Sequence, residues 1–385
     1  MVLMNTIKLS FVLLLSIFLL TGCWNRKEIN DISIVTAVAL DLLEDEKILL
    51  TLQVAIPSKL GQTTGTEGGG DSTFMISETG STFSEAYRHL QSKLSRRIFF
   101  SHSRVLLIGE ELAKKGVSHV IDFYSRFHEP RMNSHIMFTK GNAFEVISSE
   151  PTLESVSAEE TRELTKLSVG LHVTINEFLD MLLTEGLEPI APQFAASPLE
   201  VQVKDKSRKT QEVVGAAVFK GEKLVGWMDE SEMRGILWLK NEMDTGVITV
   251  KIPKEEGGGN ISSNIIRAET EIVPKIKDGR IKITVKTITE MKIMENASKL
   301  NLNDSKNIDK LETEIEKEIR DKIQEGLDKT KNELGSDTIG FGEFVYKKYP
   351  KEWNATYKKE WSEKFSELEV SIDSKVYVRR VGLTE

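Results

Sequence analysis

Short apolar runs rich in β-branched residues alternate with amphipathic stretches along the first half of the chain. Runs of this length between polar turns are typical of strands, whereas apolar positions that recur every three or four residues indicate helices. Because only a short acidic turn separates the first two runs, we expect them to form an antiparallel pair. The predicted elements are strands at 31–41, 47–57, 104–109 and 133–141, with helices at 81–95 and 110–127.

A predicted helical connector follows at about residues 143–198. Its sequence up to residue 187 lacks the two-residue period of a strand, and Thr174 is placed to cap a helix with the sequence "INEFLDMLL".

The end of this connector is marked by three prolines, which interrupt regular structure, and by a polar stretch at residues 204–212. A stretch without apolar positions has nothing to bury and is typical of a linker. We therefore predict a domain boundary near residues 199–210. The prolines are Pro189, Pro192 and Pro198.

The second half predicts two hairpins, a capped helix and a closing strand. Tight turns are indicated by the Lys-Gly-Glu sequence at 220–222 and by Asp278 followed by Gly279. Asp229 or Ser231 can cap the helix after the first hairpin. The other predicted elements are strands at 246–253 and 367–382 and short helices within 343–350 and 353–365.

The longest predicted helix spans residues 307–334 and has one continuous apolar stripe. Glu316 with Arg320, and Glu318 with Lys322, place opposite charges four residues apart on the exposed side. A coiled-coil helix is an alternative, but the stripe lacks a clear heptad alternation, which favours packing against the protein's own sheet.

Together these elements predict an α+β fold with mixed, largely antiparallel sheets packed against helices, in two or three domains. The opening strand pair argues against an all-parallel sheet. The predicted domains are residues 23–200, which include the helical connector, and residues 208–385, which include the long helix. They follow an N-terminal signal peptide at residues 1–22.

Composition narrows the possible functions. The 385 residues carry a formal net charge of −8, which argues against a nucleic-acid partner because such a partner favours a dominant basic surface. The single cysteine, Cys23, can close no intramolecular disulfide and cannot build a Cys-rich zinc site.

The segment before Cys23 has the features of a secretion signal. Lys8 precedes an apolar run at residues 9–20, which is shorter than the roughly 20 residues needed to span a membrane. Residues 20–23, Leu-Thr-Gly-Cys, resemble a bacterial lipobox, in which a diacylglyceryl group is attached to the cysteine sulfur and cleavage occurs before it. We therefore expect cleavage between Gly22 and Cys23, with an uncleaved anchor helix as the alternative.

Histidines are concentrated in the first half but lack the spacing of a metal motif. No pair shows the i, i+4 arrangement of the H-E-x-x-H helix, so we predict no metal site. The five histidines before residue 140 are His89, His102, His119, His128 and His135.

Other polar clusters also have ordinary structural interpretations. Ser101-His102-Ser103 lacks the surroundings of a nucleophile elbow, and no catalytic residue is predicted. The acids at 229–232 are interpreted as helix caps rather than a general acid and base. The arginines Arg96, Arg97 and Arg104 are interpreted as solvated or salt-bridged surface.

Four segments resemble the Ger(x)C family, the C-subunit lipoproteins of bacterial spore germinant receptors. They read "GCWNRKEINDISIVTAVALD", "SRRIFFSHSRVLLIGEELAKKGV", "GAAVFKGEKLVGWMDESEMRGILWLKN" and "WSEKFSELEVSIDSKVYVRRVG". The likeness covers nearly the whole chain after the leader. Where family members often have Asp and Arg after the lipobox, this chain has Asn25 and Lys27, and neither departure touches Cys23.

The resemblance implies a non-catalytic role in nutrient-triggered germination. It implies a location on the outer face of the spore inner membrane, beside an A subunit and a permease-like B subunit. The family fold is mixed α/β in about three domains. No cofactor is implied beyond the covalent diacylglycerol and acyl lipid on Cys23, and no other functional residue can be carried over.

A lipid-anchored solute-binding protein that delivers a nutrient to a transporter is the alternative function. Such a protein would normally show two similar α/β lobes joined by hinge strands. The order of predicted elements differs between the two halves of this chain, which favours the receptor subunit.

Overall fold

The computed structural model describes residues 28–57, 59, 72–149, 151, 154, 156–167, 170–199 and 208–380, with Met4 and Ser10 in addition. These residues form two β-sheets and the helices that pack on them. The strands are β1 Ile32–Leu42, β2 Ile48–Ala55, β3 Thr73–Gly80, β4 Arg97–Phe99, β5 Val105–Gly109, β6 His135–Thr139, β7 Ile190–Leu199, β8 Arg208–Lys220, β9 Lys223–Met228, β10 Val247–Lys251, β11 Asn260–Lys277, β12 Arg280–Asn296 and β13 Glu369–Arg380.

The helices lie between these strands, and the longest precedes the C-terminal strand. They are α1 Phe83–Lys93, α2 Glu110–Lys115, α3 Ser118–Arg126, α4 Ala143–Ile147, α5 Ser157–Lys166, α6 Ile175–Leu183, α7 Glu230–Leu239, α8 Ser305–Asp328, α9 Phe341–Lys348, α10 Pro350–Glu352 and α11 Lys358–Glu367. Short 3₁₀ turns lie at Ile29–Asp31 and Lys254–Glu256, and π-helical turns at Lys329–Leu334 and Trp353–Tyr357.

The first sheet has nine strands in the order β3-β2-β1-β5-β6-β7-β8-β9, with β4 also paired to β1. β1 and β2 are antiparallel, as predicted, whereas β5 joins β1 in parallel. The second sheet has the order β10-β11-β12-β13, with β13 parallel to β12. The predicted α+β fold with mixed sheets is therefore confirmed.

Both faces of the first sheet are covered near its centre. On β1, Val38 and Leu40 join the core beneath α1 and α3, whereas Ala37 and Ala39 join a smaller core beneath α4 and α5. Because both faces are buried, β1 reads as a continuous apolar run rather than as an alternating one.

The helix predicted at 110–127 was wrong as a single element, because the chain forms α2 and α3 with a break at Gly116. Gly116 has a φ of 131°, which lies outside the helical region and favours glycine. The next amide, of Val117, donates to the carbonyl of Glu222 at 3.0 Å instead of continuing a helix. The break ties α2 and α3 to the β8–β9 turn.

The connector predicted at 143–198 is helical only as far as α6, because residues 190–199 form β7. This strand pairs with β8 along its whole length but with β6 at one position, Phe138 opposite Gln193. Along most of the β7 edge that faces β6 there are no ladder hydrogen bonds. Pro192 and Pro198, which lack an amide hydrogen, therefore remove none there.

The predicted boundary at 199–210 falls between two strands of one sheet. β8 and β9 lie beyond the boundary, yet β8 pairs with β7 from Ile190 opposite Val218 to Leu199 opposite Arg208. The first sheet therefore takes strands from both sides, and the division into residues 23–200 and 208–385 stays a prediction.

α8 packs against the second sheet and closes its outer edge. The Oε1 atoms of Glu316 and Glu312 accept hydrogen bonds from the amides of Val376 at 3.1 Å and Val378 at 2.7 Å. Glu316 thus bonds β13 rather than forming the predicted pair with Arg320. The predicted pair of Glu318 with Lys322 is present at 3.4 Å.

α7 and α8 cross at two glycines. A Cβ atom on Gly235 would lie 2.1 Å from the carbonyl oxygen of Lys322, and one on Gly326 would lie 2.6 Å from that of Glu232. Both distances are far below van der Waals contact, so only glycine permits this close crossing. The crossing joins the helix that follows the first sheet to the helix that covers the second.

Candidate functional site

The predicted lipid-attachment site lies outside the described residues. This applies to Cys23, to the cleavage position after Gly22 and to the leader at 1–22 apart from Met4 and Ser10. The continuous described stretch begins at Glu28 and enters β1 at Ile32. Lipid attachment itself stays a prediction. Among the residues with described positions, no helix has the length and apolar character to cross a membrane.

The histidines do not assemble a metal centre in the described part of the chain, where no group of three or more potential ligands is found. His135 and His172 come closest, with ring centroids 4.6 Å apart. Burial, with the neighbouring His172 as a second cause, lowers the pKa of His135 to about 4. His135 is therefore neutral at pH 7, and its buried Nδ1 has no hydrogen-bond partner.

The polar clusters considered for catalysis have structural roles. Asp229 and Glu232 form a capping box at the start of α7: Asp229 Oδ1 accepts from the Glu232 amide at 2.9 Å, and Glu232 Oε2 accepts from the Asp229 amide at 2.8 Å. The interpretation of these acids as caps is confirmed. The predicted cap at Thr174 is also confirmed, with Glu177 completing the box.

The segment around Ser101 likewise lacks the contacts of a triad. The hydroxyl of Ser101 donates to the Glu129 carbonyl at 3.1 Å, and His102 is exposed. Arg97 forms an ion pair with the Glu129 carboxylate at 2.9 Å, which confirms its interpretation as a salt-bridged residue.

A buried carboxylate, which the sequence did not reveal as important, lies just before α9. Asp337 is 2% exposed and receives four N–H donors. Its Oδ1 accepts from the amides of Gly340 at 2.9 Å and Phe341 at 3.0 Å, and its Oδ2 accepts from the Gly342 amide at 2.8 Å and Trp361 Nε1 at 3.0 Å. Burial raises the pKa of Asp337 to about 6 although these donors lower it, so the group is ionised at pH 7.

Asp337 borders a cavity of about 400 Å³. The cavity is lined by the loop after α6, the β8–β9 turn and α11. On its wall the carboxylate of Glu185 pairs with Lys358 and accepts from Trp353 Nε1 at 3.2 Å, and these contacts lower the pKa of Glu185. Burial raises the pKa of Glu188, which accepts from the Gly221 amide. Each of these three carboxylates already has a hydrogen-bond or ion-pair partner within the protein, so the cavity is interpreted as a polar contact region between the loop after α6, the β8–β9 turn and α11.

Two family models match the chain. The "Spore germination protein N-terminal domain" matches residues 25–196, and "Spore germination B3/ GerAC like, C-terminal" matches residues 214–382. The chain belongs to the Ger(x)C family.

Named members of this family align along almost the whole chain. "Spore germination protein KC" of Bacillus subtilis (strain 168) is 30% identical, over 97% of this chain and 96% of the relative. "Spore germination protein B3" of the same organism is 26% identical, over 96% of each chain. The resemblance proposed from sequence is therefore confirmed.

A solved structure of a Ger(x)C protein shares the fold. The crystal structure of the GerBC protein superposes with a TM-score of 0.60, covering 89% of this chain and 97% of that chain. At 21% sequence identity this likeness concerns the fold alone. Both sheets of the present chain therefore belong to an architecture seen elsewhere in the family.

Proposed function

We propose that this protein is a lipid-anchored, non-catalytic subunit of a spore nutrient germinant receptor and is needed for nutrient-triggered germination. The observation that carries the proposal is the family match in both halves of the chain, over residues 25–196 and 214–382. The relatives that align over the same length are named spore germination proteins.

The proposed anchor is a lipid on Cys23. The support is the order of the N-terminal features, in which an apolar run, small residues and the cysteine follow one another. Each buried methylene contributes about 0.8 kcal/mol to membrane binding, so two or more acyl chains retain a protein stably whereas one does not. In this proposal the mature chain starts at Cys23 and lies on the outer face of the spore inner membrane.

The proposed partners are an A subunit and a permease-like B subunit, as the family resemblance implies. A solute-binding protein is less well supported because the two sheets differ in strand number and order, so the chain lacks two similar lobes. Calorimetric titration of the protein with amino acids and sugars separates the two functions. Tight, saturable binding by this chain alone would favour the solute-binding protein.

The germination role is tested with spores of a deletion strain. We expect the fall in optical density after addition of one nutrient class to be lost, while a non-nutrient trigger still acts. Restoring the gene should restore the response. An unchanged response to every nutrient, in a strain that also lacks paralogous receptors, would contradict the proposal.

The lipid anchor is tested by Cys23→Ala. We expect the variant to leave the membrane fraction and to weaken the nutrient response, because the sulfur that accepts the lipid is absent. Asn25→Ala is the matched control, since it lies two residues away and keeps the sulfur. Mass spectrometry of the mature N-terminus measures the modification directly, and an unmodified Cys23 in membrane fractions would refute the anchor.

A further inference from the structure

The turn between β11 and β12 presents four cations on one face of the hairpin. Lys275 lies directly opposite Lys282, and Lys277 lies directly opposite Arg280. All four side chains are exposed, whereas the alternate residues Ile276 and Ile281 turn toward the core. We call these four residues the cationic tip.

Like charges directly opposite each other destabilise a strand pair, and here two such pairs follow in succession. The arrangement occurs in a chain with a formal net charge of −8. Among the described residues, Glu369 pairs with Lys282 at 2.6 Å, and Lys275, Lys277 and Arg280 form no ion pair. The acid in the turn itself is Asp278.

The hairpin is supported from its other side, which fixes the tip in place. The side chain of Lys348 on α9 donates to the Pro274 carbonyl at 2.9 Å, and the Tyr357 hydroxyl donates to the Gly279 carbonyl at 3.2 Å. Lys348 adds a further positive charge beside the hairpin. The tip is therefore a supported, exposed and positively charged surface rather than a loose loop.

We propose that the cationic tip binds the phosphates of anionic lipid headgroups. Clusters of four or more Lys and Arg side chains are attracted to anionic membrane surfaces. Three unpaired cations on long side chains suit such a diffuse layer of negative charge better than one defined carboxylate.

The tip also bears on how the protein lies at a membrane. Cys23 precedes β1 in the first sheet, whereas the tip belongs to the second. A lipid at the first sheet and a headgroup contact at the second would hold both sheets beside the bilayer. This orientation rests on the proposed lipid at Cys23, but headgroup binding by the tip does not.

Headgroup binding is tested without the lipid. All helices and strands given above begin at Ile29 or later, so a chain that starts at Asn25 keeps them. Sedimentation with phosphatidylglycerol and phosphatidylcholine vesicles measures partitioning at low and high salt. We expect binding to the anionic vesicles alone, with loss in high salt because the charges are screened.

The triple variant Lys275→Gln, Lys277→Gln and Arg280→Gln should partition on the order of 100-fold more weakly, at a few-fold per cation. The control removes three exposed lysines elsewhere. The changes are Lys223→Gln on β9 and Lys306→Gln and Lys317→Gln on α8. The control has the same net charge as the triple variant, but we expect it to bind the vesicles like the parent chain.

Four results would overturn the proposal. The first three are failure to bind anionic vesicles at low salt, equal loss in the control variant, and equal binding to neutral vesicles. A further measurement adds inorganic phosphate to the vesicle mixture at constant ionic strength. Loss of vesicle binding there would indicate a discrete phosphate site instead of a lipid surface, which also contradicts the proposal. If the unlipidated chain fails these tests, the function proposed for the lipidated receptor subunit is untouched.

Discussion

The buried carboxylate of Asp337 allows a quantitative test of how the start of α9 is bonded to α11. In Asp337→Asn the side chain keeps its shape, but one oxygen becomes an amide nitrogen that cannot accept hydrogen bonds. If this nitrogen takes the place of Oδ2, it faces the donors of Gly342 and Trp361, which lie at 2.8 and 3.0 Å. Hydrogen bonds to a charged group contribute about 1.5–3 kcal/mol each, so two lost bonds cost about 3–6 kcal/mol. Removal of the buried charge offsets about 3 kcal/mol of this cost, as the raised pKa indicates, so we expect a net loss of about 1–3 kcal/mol.

Urea unfolding at pH 7, followed by tryptophan fluorescence, measures this loss. Asp304→Asn is the matched control, because Asp304 caps α8 at an exposed position and Asn caps helices about as well as Asp. We expect the control to change the free energy of unfolding by less than about 0.5 kcal/mol. A loss below about 1 kcal/mol in Asp337→Asn would refute the reasoning, since the donors of Gly342 and Trp361 would then have found other acceptors.

The pH dependence gives a second measure of the same group. The folded pKa of Asp337, about 6, lies above its usual 3.8, so the folded state holds more protons than the unfolded state between these values. The stability contributed by this shift is fully present below the unfolded pKa and is lost as the pH rises through 6. Between pH 7 and pH 5 the parent chain should gain about 1 kcal/mol relative to Asp337→Asn.

Three further predictions concern other parts of the fold. Gly235→Ala should destabilise the protein by about 1–3 kcal/mol or more in urea unfolding, because its new methyl group meets the Lys322 carbonyl, and an unchanged midpoint would contradict the close helix crossing. His135→Phe should remove an acid sensitivity of about 2 kcal/mol between pH 7 and pH 5, since the folded pKa of about 4 lies below the unfolded 6.5 and stability is lost as the pH falls. Equal midpoint shifts in parent and variant over that range would show that His135 is not responsible. Lys277→Glu should raise the free energy of unfolding by about 0.2–1 kcal/mol by placing a carboxylate opposite Arg280, and a lower thermal midpoint would show that the like-charge pair costs nothing.

Local signals in the sequence predicted local structure well. The Asp278-Gly279 turn forms a hairpin with positive φ at both residues, as the turn type requires. Thr174 and Asp229 cap helices because a short oxygen-bearing side chain before an amphipathic stretch satisfies free amides. Such features depend on a few neighbouring residues, and the sequence contains all of them.

Long-range features could not be predicted in the same way. The pairing of β7 with β8 across the expected boundary depends on contacts between distant segments, and the prolines near Pro192 suggested a linker instead. The break at Gly116 goes with a long-range bond, because the next amide finds its acceptor in the β8–β9 turn. At Asp337, the Asp-x-x-Gly spacing before α9 was a usable sign of a cap, but its bond to Trp361 depends on tertiary packing.

The two glutamates that bond to β13 have a consequence for self-association. An open strand edge can recruit another chain by adding strands, which is a common route to polymers and fibres. Glu312 and Glu316 occupy the amides that an incoming strand would need, and their negative charges repel other acidic chains. α8 therefore blocks the addition of a strand to the β13 edge. If α8 left this position, the exposed edge of β13 could pair with a strand of another chain and start polymer growth.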